Sequence, residues 1–587
     1  MKPRPQPPAL TTSPSPALLL PQPPVRSTSP SPALLPPPPS QVVSTYPMAP
    51  GFAFTSSLWG AHGELWEPTG RLLDYSYAGY MANEAPIPSN QTIAADVVQF
   101  GAVGDGVTDC TQAFKAAIAA VSSGVIYVPP GTYLITTQLT ISNSGVVLRG
   151  AGAGVSTIYI NNSLTDVFGQ LWSGHGEETN ISAQSDWKDG PGMIRFAGPG
   201  SANLAGVGHV QIGAQDPISN ATLLTAITRP ALRGSVKVMV ASTKALKPNQ
   251  WVTITIGDVN GTLVKDLYNN VNVTNMCNVT GQPAYCINDL RVMRFHSRIY
   301  AVRTNYIVLE RPLPFNISLE WVPEVHAFAP GIQQCGIEAL TIQFQWKQYA
   351  GHLLEDGFNG IEFAGAANCW ARDLIISNSD NHLFMWLSSF ITVNNVTVTR
   401  SVSRGTFDCH HGVNVTWSQD VAVTNSLIRV TCVHDTASFA WNNAVAFSNI
   451  TGYYRINMDQ HGLLPYGTLW SNVYLASGDR AFLCGGEIPW GDSGASFTTF
   501  YNIQSTGTRG ITFAPTIYNG PYGNYVGLQW QPQSLLPANT SGQGWLVEGI
   551  ILPGSISGGL AVYPMDLLQS MVATRAERFQ QLGRQLL

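Results

Sequence analysis

Through the C-terminal half of the chain, short runs of alternating apolar and polar residues return at one spacing. Most carry an asparagine: VNNVTV, VTNSLI, FSNITG, WSNVYL and FYNIQS. The asparagines Asn368, Asn395, Asn425, Asn449, Asn472 and Asn502 are 27, 30, 24, 23 and 30 residues apart. Each is followed four to eight residues later by an arginine: Arg372, Arg400, Arg429, Arg455, Arg480 and Arg509. A repeat of this length marks a stacked architecture, in which each unit buries its apolar face only against its neighbours. Strand-rich units with asparagine at one corner predict a parallel β-helix, because asparagine tolerates the left-handed backbone of a sharp turn. Like positions of successive coils then lie about 4.8 Å apart.

The rest of the chain divides by the same criterion. Residues 1–50 are proline-rich, with TSPSPALLL, TSPSPALLP and PPPPS, and predict an extended linker or stalk without a core. Residues 51–95 are aromatic and irregular and are expected to wrap the end of the stack. Residues 96–227 hold a cap and the first coils. Within them Asp109 is the expected N-cap of an alanine-rich helix ending near Ser122, which would close the open end of the sheets. Residues 228–325 break the rhythm and predict a small inserted β-module. The main coils occupy 326–555, and 556–587 form a helical tail.

Composition narrows the class. Charged residues make up only 11% of the 587 and there are 56 glycines, as expected for β-structure with uncharged turns. A net charge of −5 gives no electrostatic case for nucleic acid. No apolar stretch is long enough to span a membrane. Twelve Asn-X-Ser/Thr sequons favour the secretory pathway and an extracellular or cell-wall location, although a signal peptide is not evident. Among the eight cysteines, Cys277 and Cys286 flank a polar loop, and Cys409 and Cys432 lie one coil apart. No C-x-x-C pair suggests zinc.

The phrase DVVQFGAVGDGVTDCTQAF followed by VIYVPPGTYLI resembles the opening of the pectate-lyase-like, right-handed parallel β-helix superfamily. That superfamily includes polygalacturonases, rhamnogalacturonan enzymes and polysaccharide lyases. The stretch from Asp356 to Val398 and the tail VYPMDLLQSMVATRAERFQQL resemble a subgroup of secreted β-helix proteins. The resemblance implies an all-β fold: a single-stranded right-handed solenoid with an N-terminal capping helix, a small inserted β-module and a C-terminal helix.

Chemistry gathers at one phase of the repeat: Asp380 with His382, Asp408 with His410 and His411, His434 with Asp435, and Asp459 with His461. Histidine and aspartate are the usual acid–base residues, and stacking brings them together. The subgroup's His-Asp phrase corresponds to His434–Asp435. Its second motif is only partly matched, because Gln460 precedes His461. The expected activity is β-elimination on an acidic, uronate-containing polysaccharide. His434 is the base, oriented by Asp435 or Asp408, and His461 is a second acid–base group. Asp459 and His410 complete the catalytic set. Arg404, Arg455 and Arg480 are the substrate clamps, since the guanidinium fork meets a carboxylate in two hydrogen bonds. Trp441, Trp470 and Trp490 are candidate sugar platforms. Six stacked arginines would repel unless they find acids or an anionic ligand. Hydrolysis by a pair among Asp408, Asp435 and Asp459 is the alternative, and a non-catalytic wall-binding module is a third. No cofactor or metal is expected, with calcium left open. The oligomeric state is not legible.

Overall fold

The computed structural model describes residues 54–173, 184–198, 221–258, 261–268, 293–461, 465–482, 494–505, 511, 520–529, 544–549 and 562–586. The proline-rich segment, the Cys277–Cys286 loop, Cys484, Trp490 and Arg509 lie outside them. The main coils are built from β1 (Asn359–Ala364), β2 (Ala366–Ser377), β3 (Asn381–Trp386), β4 (Ser389–Thr399), β5 (Cys409–Thr416), β6 (Ala422–Ile428), β7 (Cys432–Phe439), β8 (Val445–Arg455), β9 (Met458–His461), β10 (Thr468–Ser477) and β11 (Thr499–Ser505). The odd strands β1 to β9 stack in parallel on Leu139–Ile141 and Ile194–Ala197 as a seven-stranded sheet. The even strands and β11 belong to a sixteen-stranded sheet.

The strands of the larger sheet bend at the asparagines. Asn395, Asn425, Asn449, Asn472 and Asn502 have φ of 53, 52, 56, 54 and 56°. Strand register places all five in one row. Their amides form a ladder up the stack: Asn449 donates to Asn425 at 2.6 Å, Asn472 to Asn449 at 3.2 Å and Asn502 to Asn472 at 2.9 Å. Asn368 differs. Its φ is 53°, but register puts it opposite Phe390 in a second left-handed row that continues through Asp420 and Ala444. The residue opposite Asn395 is Asp373, whose carboxylate accepts the Asn395 amide at 2.7 Å. Inside the stack, Phe447, Trp470, Phe500 and Tyr525 lie face to face with ring centroids 5.2–5.3 Å apart.

The ends and flank are covered as the repeat requires. Helix α1 (Thr111–Ala120) closes one end with Phe114 against Tyr133. Its N-cap is Cys110, one residue later than expected, while Asp109 accepts the Thr111 N–H at 2.9 Å. Helix α2 (Leu567–Leu586) lies on the flank, where Arg578 reaches Asp74 and stacks on Trp59 and Trp66. Leu223–Ala226, Lys237–Met239, Trp251–Ile256, Met293–Val302, Tyr306–Leu309 and Glu324–Ala327 form a separate antiparallel sheet. Buried polar contacts dock it on the coils, among them two that involve charged or titratable groups. Arg311 makes a bidentate pair with Asp420, both contacts 2.9 Å, and His296 Nε2 lies 2.8 Å from Ser389 Oγ.

Two outcomes test this account. Asn472→Ala loses the ladder bonds and strains the left-handed corner, which together cost about 2–3 kcal/mol. Asn472→Gly loses only the bonds, so urea unfolding should rank wild type above glycine and glycine above alanine. Burial pushes the His296 imidazole down to about 3, and Arg311 and Arg294 add to it. The unfolded histidine takes a proton near its ordinary value of about 6.5 while the folded one does not. Stability is therefore full above pH about 6.5 and falls towards pH about 3, by up to about 1.4 kcal/mol per pH unit from this group. Melting curves across that window should flatten in His296→Gln; an unchanged slope would assign the loss to other groups.

Candidate active site

The smaller sheet carries the imidazoles. β5 opens Cys409–His410–His411 and β7 opens Cys432–Val433–His434, with Cys409 opposite Cys432 and His411 opposite His434. The cysteines form a disulfide across adjacent coils, as their spacing suggested. Directly after it the rings of His411 and His434 stack, with centroids 5.0 Å apart and planes 25° from parallel. His410 lies 3.9 Å from His411 and 5.3 Å from His434. His352, from the loop before β1, stands edge-on to His410 at 4.9 Å and is the exposed member of the group.

Each buried ring is held at Nδ1. His410 Nδ1 is 3.0 Å from the Lys188 carbonyl, and His411 Nδ1 is 2.8 Å from Asn381 Oδ1. The Asn381 amide itself donates to Asn359 and to the Lys188 carbonyl. His434 Nδ1 lies 2.8 Å from Oδ2 of fully buried Asp459. Asp459, not Asp435 or Asp408, is thus the carboxylate in contact with the His434 ring. Beneath His410 sits Glu355, which accepts from Tyr349 Oη at 2.6 Å and lies 3.3 Å from His410 Nδ1. Burial raises Glu355 to about 8, and burial with the neighbouring imidazoles holds His410 well below its ordinary value. Both shifts favour the neutral forms, which weakens the contact as an ion pair.

The other acids brace the coil corners. Asp380 accepts the Gly357 and Phe358 N–H groups and pairs with Arg404 at 2.7 Å. Asp408 accepts the N–H groups of Arg404 and Thr431 and pairs with Arg400. Asp435 accepts the N–H groups of Cys432 and Asn457 at 2.8 and 2.9 Å, and burial raises it to about 7. These contacts leave Asp408 and Asp435 as structural anchors, without the open geometry that acid–base work or a hydrolytic pair needs.

The arginines resolve the repulsion that their spacing implies in two ways. Arg372 pairs with Glu338 at 2.7 Å and Arg400 with Asp408, while Arg429 lies over the Tyr453 ring. Arg455 and Arg480 share one ring instead, lying 5.7 and 5.2 Å from the centroid of Phe407. Neither has an ion pair among the described residues. Arg455 Nε and Arg480 Nη1 are buried without an acceptor there. Arg480 Nη2 donates to the carbonyl of Val433, next to His434. The clamp role expected for Arg404 meets a different environment. It is 2% exposed and spends its guanidinium on Asp380 and the carbonyls of Lys347, Ser379 and Asp408.

Trp441 and Trp470 are likewise enclosed, Trp441 at a coil corner and Trp470 in the internal aromatic stack. They present no face to a sugar, because the coil interior takes the large apolar rings first. Trp490 and the side chain of His461 lie outside the described residues; the His461 backbone pairs with Phe439. Four participants were not singled out from sequence: His352, Glu355, Tyr349 and Phe407. All come from connections off the repeat phase. The exposed pair Tyr453–Tyr454, just before Arg455, was the nearest available signal.

Comparison with known proteins bears on the opening coils. Residues 94–194 match the family model described as rhamnogalacturonase A/epimerase, pectate lyase-like. Over 102 residues the chain is 39% identical to mannuronan C5-epimerase AlgE1 of Azotobacter vinelandii, covering 16% of this chain and 7% of the epimerase. Over 118 residues it is 32% identical to probable rhamnogalacturonase C of Aspergillus niger, covering 19% of this chain and 23% of that one. The chain thus aligns with less than a quarter of either relative. Among solved structures, the tailspike protein gp49 from Pseudomonas phage LKA1 aligns with 78% of this chain and 64% of its own, at 13% identity and a TM-score of 0.41. The 94–194 match ends before the imidazole cluster, so it transfers no site residue. Residues 94–194 are thus similar to the rhamnogalacturonase A/epimerase, pectate lyase-like family, and the stacked parallel sheets are those of a parallel β-helix.

Proposed function

We propose that this protein cleaves an acidic polysaccharide by β-elimination at a uronate, with His434 as the base. The observation that carries the reading is the Arg455–Arg480 pair. Two guanidiniums share one ring near His434, make no ion pair among the described residues, and hold buried N–H groups without acceptors there. Buried donors of this kind call for an acceptor, and a carboxylate meets a guanidinium in two charge-assisted bonds.

With a uronate carboxylate held there, the proton on the adjacent carbon is acidified, because the enolate formed on its loss places charge on the clamped oxygens. His434 takes that proton through Nε2, its Nδ1 being held by Asp459. The electron pair forms the new carbon–carbon double bond as the glycosidic carbon–oxygen bond breaks. The imidazolium then returns the proton to the leaving oxygen. Hydrolysis is less well supported, since Asp408 and Asp435 are spent on backbone N–H groups. The disulfide supports an oxidising, extracellular compartment. No described helix is long and apolar enough to cross a membrane.

A second reading, C5-epimerisation, is favoured by the match to the mannuronan C5-epimerase. Its first step is the same proton abstraction, but the proton comes back on the other face and the chain stays whole.

Wild-type protein incubated with a panel of uronate polysaccharides should release products with the ultraviolet absorbance of a conjugated, unsaturated uronate. His434→Ala should lower kcat/KM roughly 100- to 10,000-fold. Arg455→Gln or Arg480→Gln should lower it roughly ten- to a hundredfold, mainly through KM. Deuterium uptake from heavy water without unsaturation would move the assignment to epimerisation. New reducing ends without unsaturation would move it to hydrolysis. Binding with none of these would leave a polysaccharide-binding module.

A further inference from the structure

The same imidazoles have a geometry that proton transfer alone does not require. One ring nitrogen from each of His352, His410 and His434 lies within 4.8 Å of the others. We propose that these three residues form a binding site for a single divalent transition metal of the zinc type. The inference stands on ring geometry and does not rest on the lyase reading.

Three features support it. The first is the donor set. Three neutral imidazoles suit zinc, copper or nickel, whereas calcium takes oxygen ligands. The second is the outer contacts. Metal-bound histidines pass their other N–H to a carboxylate or a backbone carbonyl, which fixes tautomer and orientation. His410 Nδ1 is at the Lys188 carbonyl and His434 Nδ1 at the Asp459 carboxylate, so both would bind through Nε2. The third is Glu355. Its Oε2 is buried without a hydrogen-bond partner among the described residues, on the carboxyl group that touches His410. A water on the metal would be a partner for it.

Tetrahedral ligands at metal–nitrogen distances of about 2.0–2.1 Å lie about 3.4 Å apart. The contraction from the present spacing falls to His352, which is exposed on the loop before β1, while the other two rings are braced. His352 also marks the entry path. Asp189 lies within the same 4.8 Å of nitrogens on His410 and His411. Metal and base chemistry exclude each other at His434, because both use the Nε2 lone pair. A loaded protein would therefore not abstract a proton with that residue.

The test is titration of the chelator-treated full chain with Co2+, followed by its visible d–d absorbance, which is intense for tetrahedral sites. One equivalent should bind with a tetrahedral spectrum. Zn2+ should displace it and Ca2+ should not. His352→Ala sits on an exposed loop and should keep the wild-type melting temperature while weakening Co2+ binding at least tenfold. His62→Ala, an exposed histidine elsewhere, should change nothing. Absence of the band, or its persistence in His352→Ala with His434→Ala, would overturn the site. Because the readout is spectroscopic, a Co2+ band together with no lyase activity in the chelator-treated, metal-free protein would sink the proposed reaction and leave the site standing. Lyase activity without the band would do the reverse.

Discussion

A left-handed backbone step, repeated at the same place in every coil, sets the cross-section of this solenoid. L-residues avoid that conformation by roughly 1–2 kcal/mol, so a stack of such corners persists only where each one gains a compensating contact. Asparagine supplies the contact, since its amide bonds to the asparagine of the coil below while its backbone turns the corner. The corners hold the strands in register. The register in turn aligns β5 with β7, so that His411 lies over His434 and Cys409 over Cys432. Had the coils slipped by one residue, the imidazoles would have been separated onto opposite faces.

Burying several imidazoles together is tolerable because each has a polar neighbour of its own. Burial and mutual repulsion favour the uncharged form of His410, and burial favours the protonated form of Glu355 beside it. The charged groups of the region are sorted by a different rule. Asp380, Asp408 and Asp435 spend their oxygens on backbone N–H groups of the next connection, which ties the irregular loops to the regular strands. Cation and acid thus serve construction on one part of the stack, whereas Arg455 and Arg480 make no ion pair among the described residues.

The repeat was legible because its cause is local. Five of the six asparagines share a corner, the inserted sheet follows from a break in the rhythm, and the capping helix from its own local pattern, while the C-terminal helix was expected from the family resemblance of the tail. Asn368 was misassigned to that corner because a spacing of 27 residues does not distinguish one left-handed row from another when a strand turns twice. The site was half legible for the same reason. Period tells which side chains share a face, so His410, His434 and Asp459 could be grouped. It does not tell which are already partnered, so Arg404, Asp408 and Asp435 looked available. Nor does it reach residues delivered by loops, such as His352 and Glu355. Trp470 failed as a platform because an aromatic at a repeated inward position stacks on the rings above and below it.

The arginine row is not uniform from one end of the stack to the other. Its early members, Arg372 and Arg400, are neutralised by Glu338 and Asp408, whereas Arg455 and Arg480 are not. A polyanion lying along this row would therefore meet guanidiniums already engaged by acids over the first coils and ones without an ion pair among the described residues over the later ones. Such an asymmetry gives the row a sense of direction. A polysaccharide, whose two ends are chemically different, would be drawn in with one orientation preferred over the other.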